Sequence, residues 1–554
     1  MGASPPSGHQ GPTPGFGRAI ATVATVSAAS EPPRWWRDAV IYEIYVRSFA
    51  DADGDGLGDL PGIRARLPDL AALGIDAVWL TPFYPSPLAD GGYDVADYQD
   101  VDPRLGTLAD FDALLATAHD LGLRVLIDVV PNHTSVEHAW FRAAAAGGPG
   151  APERERYLFR PGRGPGGDEP PNDWRSVFGG PAWTRITEVD GSPGPWYLHL
   201  FDSSQPDLDW TKDEVRDAFD GVLRFWLDRG VDGFRIDVAH GLAKDPAMPD
   251  IAGRFARGGV AEEGHPHWDR DEVHDVYRRW RRVIDACDGD RVFVAEAYLG
   301  SARRLARYLR PDELHTAFNF DLLLAPWDAE AFRAAIDDSI EHLAAVGATP
   351  TWVLSNHDMV RHLTRYGGGE IGTRRARAAA LLLLALPGAA YLYQGEELGL
   401  PEVTGLPDDA RQDPTFRRTK GREPGRDGCR VPIPWEGDVA SYGFGPGPAS
   451  WLPQPDDWAP LTRARQEGDP RSMLALYREA LRARRQLGGA LVWLDAPPGV
   501  LAFSRGADFT GAVNLGDDPV DWTPPEATPS LLLSSDPYEP GGPLPGATTV
   551  WWQA

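Results

Sequence analysis

Two side chains near the middle of the chain are the first candidates for chemistry. Residues 230–237 are mostly apolar and end on Asp237, which predicts a buried strand that finishes in a carboxylate. Because alternate residues of a strand point to the same face, Arg235 lies beside Asp237. A guanidinium favours the ionised form of a neighbouring carboxyl. Such a carboxylate suits the nucleophile of a covalent glycosyl-transfer mechanism, although a strand-end Asp that caps the next helix is the structural alternative.

Two further predicted strands end close to a carboxylate. Glu296 closes the apolar segment 292–296, and Asp358 follows the segment 352–354. A Glu in a partly dry pocket suits a general acid. A charged Asp at the same rim can hold sugar hydroxyls and oppose the positive charge that develops on the sugar. Capping and salt-bridge roles remain open for both residues.

A fourth segment, 128–133, contributes Asp128, Asn132 and His133. We expect Asp128 to orient its neighbours through hydrogen bonds and His133 to donate to a sugar hydroxyl. Histidines near carboxylates also admit a metal-hydrolase interpretation. The chain has neither the His-x-Glu nor the His-x-x-x-His spacing that would support it.

An acidic loop near the N-terminus carries a different signal. Carboxylates occupy positions 1, 3, 5 and 9 of residues 51–59, with a glycine at position 6. This is the front half of an EF-hand-type loop, whose position 7 supplies a backbone carbonyl. The usual Glu at position 12 is replaced by Gly62. We expect a structural Ca²⁺ (or Mg²⁺) site, rather than an acidic surface turn, with the ligands Asp51, Asp53, Asp55, Leu57 and Asp59.

Eight short apolar segments alternate with helical ones and must position these side chains. This alternation predicts an α/β fold in which parallel strands close into a (β/α)₈ TIM barrel, with the active site at their C-terminal ends. An open doubly wound sheet is the rival, but no Gly-rich phosphate-binding segment follows the first strand. The predicted strands are 40–46, 77–80, 124–130, 233–237, 292–296, 316–320, 352–354 and 390–393.

Long interruptions divide the chain into four predicted parts. Residues 1–17 are rich in Pro, Gly and Ser, and we interpret residues 1–33 as a disordered head, with a degenerate secretory signal as the alternative. The barrel comprises residues 34–134 and 200–487, and residues 135–199 form a subdomain inserted after strand 3. A further insertion runs from residue 399 to about 471. Residues 488–554 form a small C-terminal antiparallel β domain.

Bulk composition narrows the partners. The chain has 554 residues, is 42% hydrophobic and carries a formal net charge of −27, which argues against nucleic acid and anionic membranes. Two cysteines make neither a disulfide framework nor a zinc site. No stretch is long and apolar enough to predict a spanning helix. We expect a cytoplasmic protein, monomeric or homodimeric.

Together, the four segments resemble the four hallmark regions of glycoside hydrolase family 13, the α-amylase family, in order. Residues 205–210 are similar to a fifth region of its oligo-1,6-glucosidase subfamily, although Asp209 stands where that pattern usually has Asn. The resemblance covers roughly residues 35–554. It implies a retaining mechanism with Asp237 as nucleophile, Glu296 as acid/base and Asp358 as transition-state stabiliser. It also implies substrate-binding roles, by position, for His133, Arg235, His357, Gln205, Phe201 and Arg430.

Two more matches concern the substrate. Asp94 resembles the family's Asp that holds the terminal glucose, and Arg426 resembles the Arg that pairs with it. An Asp94–Arg426 pair would close the pocket beyond one glucose, which implies an exo-acting α-glucosidase rather than an endo-acting amylase. Its substrates would be short oligosaccharides such as maltooligosaccharides, with isomaltose, sucrose and transglycosylation also open. Within the subfamily, Val after the nucleophile is associated with α-1,6 activity, and Val238 stands there, yet we favour α-1,4 bonds.

Two rival classes remain. The first is a glucosyl transferase or isomerase on the same scaffold, of the trehalose synthase, sucrose isomerase or amylosucrase type. The second is a non-catalytic relative, such as a transporter accessory or binding module. Such relatives tend to lose the catalytic carboxylates or to carry a membrane helix, whereas all three carboxylates are present here.

Overall fold

The computed structural model describes residues 34–253, 263–525 and 529–553. Eight parallel strands form one nearly closed barrel sheet, in the order β10-β11-β1-β2-β3-β7-β8-β9. The backbone N–H of Asn319 donates to the carbonyl of Thr351 at 2.9 Å and spans the remaining gap between the outermost two. The barrel strands are β1 (Val40–Ile44), β2 (Ala77–Leu80), β3 (Arg124–Val129), β7 (Gly233–Ile236), β8 (Val292–Ala295), β9 (Thr316–Ala317), β10 (Thr351–Val353) and β11 (Ala389–Tyr393).

The eight predicted strands are all present, and most boundaries agree within two residues. The exception is the predicted strand 316–320, which the structure ends after Ala317. A helix begins at Phe320 because the side chain of Asn319 accepts a hydrogen bond from the N–H of Leu322 and caps it. A short apolar run cannot distinguish a buried strand from a strand followed by a buried helix.

Helices pack around the barrel and end in recognisable caps. The side chain of Thr107, for example, accepts from the N–H of Asp110, whose own side chain accepts from the N–H of Thr107. The helices are α1 (Leu60–Leu73), α2 (Leu108–Asp120), α3 (Ala139–Ala146), α4 (Asp213–Asp228), α5 (Val273–Asp285), α6 (Ala302–Tyr308), α7 (Phe320–Leu324), α8 (Ala329–Ala344), α9 (His362–Arg365), α10 (Gly369–Ala385), α11 (Pro414–Arg418), α12 (Arg463–Gln466) and α13 (Met473–Arg484).

The insertion after β3 folds into a three-stranded antiparallel sheet, with β6 (Pro193–Leu198) between β4 (Phe159–Arg160) and β5 (Trp183–Thr187). Trp174 and Trp183 of this insertion share an apolar cluster with Val238 and Trp268 from the barrel side. The insertion is therefore packed against the C-terminal rim of the barrel, where the predicted site lies.

A five-stranded antiparallel sheet follows the barrel, as predicted, in the order β12-β13-β14-β16-β15. It packs on α10, where the Thr549 hydroxyl donates to the carbonyl of Ala378 at 2.8 Å. Its strands are β12 (Leu491–Leu494), β13 (Val500–Arg505), β14 (Phe509–Asn514), β15 (Ser530–Ser534) and β16 (Thr548–Gln553).

Two expectations concern the chain as a whole. The predicted disordered head, residues 1–33, lies outside the described residues. Among the residues that the structure describes, no helix combines the length and apolar character needed to cross a bilayer. The exact domain boundaries remain predictions.

Candidate active site

The three predicted catalytic carboxylates lie together at the C-terminal rim. Asp237 directly follows β7, Glu296 directly follows β8, and Asp358 lies five residues beyond the end of β10. All three line a cavity of about 760 Å³. Parallel strands that end at one rim bring residues distant in sequence to one place, and a cavity of this size suits a small ligand.

Arg235 holds the centre of this cluster. Its Nη1 donates to the carboxylates of Asp237 at 2.5 Å and Asp128 at 2.8 Å, and its Nη2 lies 2.9 Å from Glu296. The structure thus places Arg235 beside Asp237, as strand periodicity predicts. One buried guanidinium keeps the candidate nucleophile and the candidate acid adjacent.

Burial and mutual repulsion set the charges around Arg235. Burial raises the pKa of the Asp237 carboxyl well above its usual value, and Glu296 and Asp128 raise it further, while Arg235 opposes the shift. Burial also raises the pKa of Asp128 to about 6 against the opposing effect of Arg235. Asp237 and Asp128 therefore retain a proton more readily than exposed carboxyl groups do.

Asp358 has the opposite environment. Arg426 donates to it at 3.0 Å and Arg430 at 2.7 Å, and His357 Nε2 lies 3.5 Å away. Burial raises the pKa of Asp358, but His357, Arg426 and Arg430 outweigh it and hold the pKa well below the ordinary value. Asp358 therefore supplies a permanent negative charge to the cavity. Arg430 is buried and contacts Asp358 from the protein interior.

Sequence reasoning missed Glu43, which lies inside β1 and is 1% exposed. Its carboxylate contacts Nδ1 of His357 and accepts from the His357 backbone N–H at 3.3 Å. His357 Nε2 is buried 3.5 Å from the Asp358 carboxylate and has no hydrogen-bond partner in the described structure. The available signal was a single Glu in an otherwise apolar strand, where an unpaired charge is costly.

The candidate sugar-binding residues form a hydrogen-bonded chain. Gln205 Nε2 lies 3.0 Å from both Asp90 Oδ2 and His133 Nε2. The ring centroids of His133 and Phe201 are 5.1 Å apart, and both residues line the cavity. Burial lowers the pKa of His133 to about 4, so its ring is neutral near pH 7. Asp90, His133 and Phe201 line the cavity and offer polar atoms and one aromatic face to a ligand, while Gln205 is buried behind them.

The predicted Asp94–Arg426 pair is wrong. Asp94 is fully buried, and its carboxylate accepts from the backbone N–H groups of Ala89 at 2.9 Å and Asp90 at 3.0 Å, which closes the loop on itself. Arg426 pairs instead with Asp90 at 2.6 Å and Asp413 at 2.5 Å. Asp90 occupies the cavity wall and Asp94 holds the loop that presents it. Sequence spacing could not distinguish two carboxylates on one turn.

The outer walls were also missed. The cavity lining includes residues of the first insertion, the loop after β7 and the second insertion near α11. The guanidinium of Arg426 lies 4.8 Å from the ring centroid of Phe178, joining the two insertions. Loops of this kind have no periodicity, so sequence patterns do not reveal which side chains meet. The missed wall residues include Tyr93, Phe178, Trp268, Tyr298 and Arg418.

The predicted metal loop gathers three of its carboxylates. One oxygen from each of Asp51, Asp53 and Asp59 lies within 4.8 Å of the others. Burial raises the pKa values of Asp51 and Asp59, whose carboxylates accept only backbone N–H groups in the described structure. These carboxylates repel one another, and in the described structure no cationic side chain pairs with Asp51 or Asp59. Such a site fits a divalent cation bound by oxygen ligands. Asp55 is exposed, accepts from the N–H of Leu57 and lies outside this trio.

The C-terminal rim of this barrel joins a buried arginine, a permanently charged Asp and two adjacent carboxylates. This arrangement is typical of a glycoside hydrolase. A family model described as the α-amylase catalytic domain matches residues 43–492. The chain belongs to this family, glycoside hydrolase family 13.

Individual relatives agree with the family. The chain is 40% identical over 506 residues to a probable α-glucosidase of Rhizobium meliloti, covering 87% of this chain and 89% of the relative. It is 34% identical to an oligo-1,6-glucosidase of Parageobacillus thermoglucosidasius, covering 82% and 84%. Among solved structures, an α-glucosyl transfer enzyme is similar with a TM-score of 0.83 and 37% identity, covering 94% of this chain and all of that one.

Proposed function

We propose that the protein is a retaining, exo-acting α-glucosidase that releases α-glucose from the non-reducing ends of short α-glucosides. The observation that carries this proposal is the Asp90–Arg426 ion pair, with a 2.6 Å separation, in the wall of the cavity that holds the three carboxylates. We infer that this partly buried ion pair blocks the cavity to a continuing chain. Substrates then enter by one end.

The residues suggest a two-step mechanism. Glu296 donates its proton to the glycosidic oxygen while Asp237 attacks C1, which breaks the bond to the leaving sugar and forms a β-glucosyl ester. Asp358 opposes the positive charge that develops on the ring. Glu296 then takes a proton from water, whose oxygen attacks C1, and α-glucose leaves. The adjacency of Asp237 and Glu296 on one guanidinium supports the short separation that retention requires.

Transfer to a sugar acceptor is the second candidate. Its support is the structural similarity to an α-glucosyl transfer enzyme. The same glucosyl ester would react with a sugar hydroxyl in place of water. Acceptor choice depends on the outer wall, which the two insertions supply.

We also propose that Asp51, Asp53 and Asp59 hold one Ca²⁺ or Mg²⁺. Its chemistry would be structural, since it would neutralise buried like charges and fix the loop that leads into α1. A cytoplasmic location and a monomeric or homodimeric state remain predictions from the sequence.

Initial rates and product profiles test the function. We expect maltose and maltotriose to yield glucose at early times, with transfer products appearing only at high substrate concentration. Parallel assays on isomaltose, sucrose and trehalose rank the bond types. Isomerised disaccharides as the main early product from any of these substrates would contradict hydrolysis and favour the transferase.

A further inference from the structure

Val238, the residue after Asp237, has a backbone conformation that β-branched residues rarely adopt. Its φ angle is +46°, in the left-handed region that favours glycine and asparagine. The N–H of Gly241 donates to the Val238 carbonyl at 2.8 Å, and the side chain packs in the cluster of Trp183 and Trp268. A strained residue that its surroundings hold in place at an active site suggests a function for its backbone.

The N–H of Val238 points at the candidate acid. It donates to Oε2 of Glu296 at 2.9 Å, and the same oxygen lies 2.9 Å from Nη2 of Arg235. Val238 is 5% exposed and Glu296 is 6% exposed, so water competes little for these bonds. The peptide plane between Asp237 and Val238 sets the direction of this N–H. The left-handed φ of Val238 lets the chain turn directly after it, where the Val238 carbonyl accepts from the N–H of Gly241.

We propose that Val238 is a positioning residue whose strained backbone N–H orients Glu296 and stabilises the carboxylate left after the proton is donated. This inference rests on the proposed function and concerns the backbone, not the side chain that accompanies bond preference in relatives. In the first step, Glu296 gives its proton to the glycosidic oxygen and becomes charged. A donor that favours the charged form makes Glu296 a readier acid.

Other groups also face Glu296 and bear on its titration. They are Arg235 and Asp237 at the end of β7, Asp128 on β3, Tyr298 after β8 and Asp358 across the cavity. Of these, Arg235 is already divided among three carboxylates. The Val238 N–H contacts Glu296 alone, so its removal can be tested separately from the charge cluster.

An amide-to-ester replacement at Val238 tests the proposal, because α-hydroxyisovalerate keeps the side chain and removes only the N–H. We expect the basic limb of the kcat/KM profile to move to higher pH by about half a unit or more, since the charged form loses a donor. We also expect kcat on maltose to fall more than kcat on p-nitrophenyl α-glucoside, whose leaving group needs little protonation. The matched control is an ester at Gly241, which weakens the same turn without touching Glu296.

An unmoved basic limb in the folded Val238 ester, or an equal shift in the Gly241 ester, would overturn the proposal. If the Val238 ester does not fold, Val238→Gly and Val238→Thr test the proposal from the other side. Both variants keep the N–H, and glycine adopts the left-handed φ readily, so both should keep the wild-type basic limb. A limb that moves by about half a unit or more in either variant would overturn the proposal. Wild-type enzyme that releases no glucose from maltose would instead refute the proposed function.

Discussion

At the scale of single residues, the proposed mechanism depends on which cationic side chains contact each carboxylate of the site. Arg235 contacts Asp237, Asp128 and Glu296, whereas Asp358 is held by other cations. The pKa values of Asp237 and Asp128 are raised, and that of Asp358 is lowered. Their partners thus distinguish the fixed charge of Asp358 from the adjacent pair of Asp237 and Glu296, which share Arg235.

Replacing Asp237 removes the proposed nucleophile. We expect Asp237→Asn to lower kcat by roughly 10³-fold or more, because an amide cannot form the glucosyl ester. The measurement is steady-state hydrolysis of maltose, with circular dichroism to verify the fold. Near-normal turnover by a folded variant would refute the assignment of the nucleophile.

Asp128 affects activity through Asp237. Its negative charge raises the pKa of Asp237, which must be ionised to attack, so activity is lost as pH falls through that pKa. Asp128→Asn should therefore lower the pKa of Asp237 and move the acid limb of kcat/KM to lower pH by about one unit. A pH series on maltose measures this limb. A limb that moves to higher pH would contradict the assigned direction.

Asp90 and Asp94 provide a matched pair. Asp90 pairs with Arg426 in the cavity wall, whereas Asp94 accepts backbone N–H groups of its own loop. Asp90→Asn should lower kcat/KM for maltose by about 10- to 100-fold, because a charge-assisted contact is worth about 1.5–3 kcal/mol. Asp94→Asn should chiefly lower the melting temperature. A larger loss of kcat/KM in Asp94→Asn would restore the pairing expected from the sequence.

At the scale of elements, the sequence revealed the scaffold better than the loops. Buried parallel strands are continuous apolar runs, so seven of the eight were delimited within two residues, and each carboxylate at a strand end was visible as a break in such a run. The predicted strand that begins at residue 316 was too long because a buried helix follows the real strand almost immediately. Asp90 and the cavity walls belong to loops, whose contacts depend on tertiary packing. Glu43 was hidden inside a strand.

The acidic loop before α1 makes a stability prediction. Burial raises the pKa values of Asp51 and Asp59, so their charged forms destabilise the fold above their unfolded pKa values, and a cation would relieve this cost. Ca²⁺ at 100 times its Kd should stabilise the protein by about 2.7 kcal/mol near pH 7, and less at acidic pH where the carboxyls are protonated. Thermal melts with Ca²⁺ and with EDTA measure this.

The control for the loop uses two exposed residues of the same type. Asp53 accepts from the N–H two residues later at 3.0 Å, and Asp97 does the same at 2.9 Å outside the loop. Asp53→Ala, which removes the oxygen ligand, should abolish the Ca²⁺ response with little change in the melt in EDTA, whereas Asp97→Ala should keep it. A Ca²⁺ response retained in Asp53→Ala would contradict the assigned ligands.

At the scale of the whole molecule, the barrel supplies the charges and the insertions supply the enclosure. The strand ends bring the carboxylates together, and the two insertions join over them through Arg426 and Phe178. Because the charges belong to the barrel and the enclosure to the insertions, proteins that share the barrel can differ in the bond that they cleave and in the acceptor that they use. The central claim therefore concerns one event. The enzyme releases one glucose from a chain end and retains its anomeric configuration.

That event can be observed directly by ¹H NMR during the first minutes of maltotriose hydrolysis. The account predicts that the α-anomeric signal of free glucose appears first and that the β signal grows later by mutarotation, with maltose as the companion product. Initial release of β-glucose would contradict retention through Asp237, and early release of larger fragments from maltopentaose in the same experiment would contradict a pocket closed by Asp90 and Arg426.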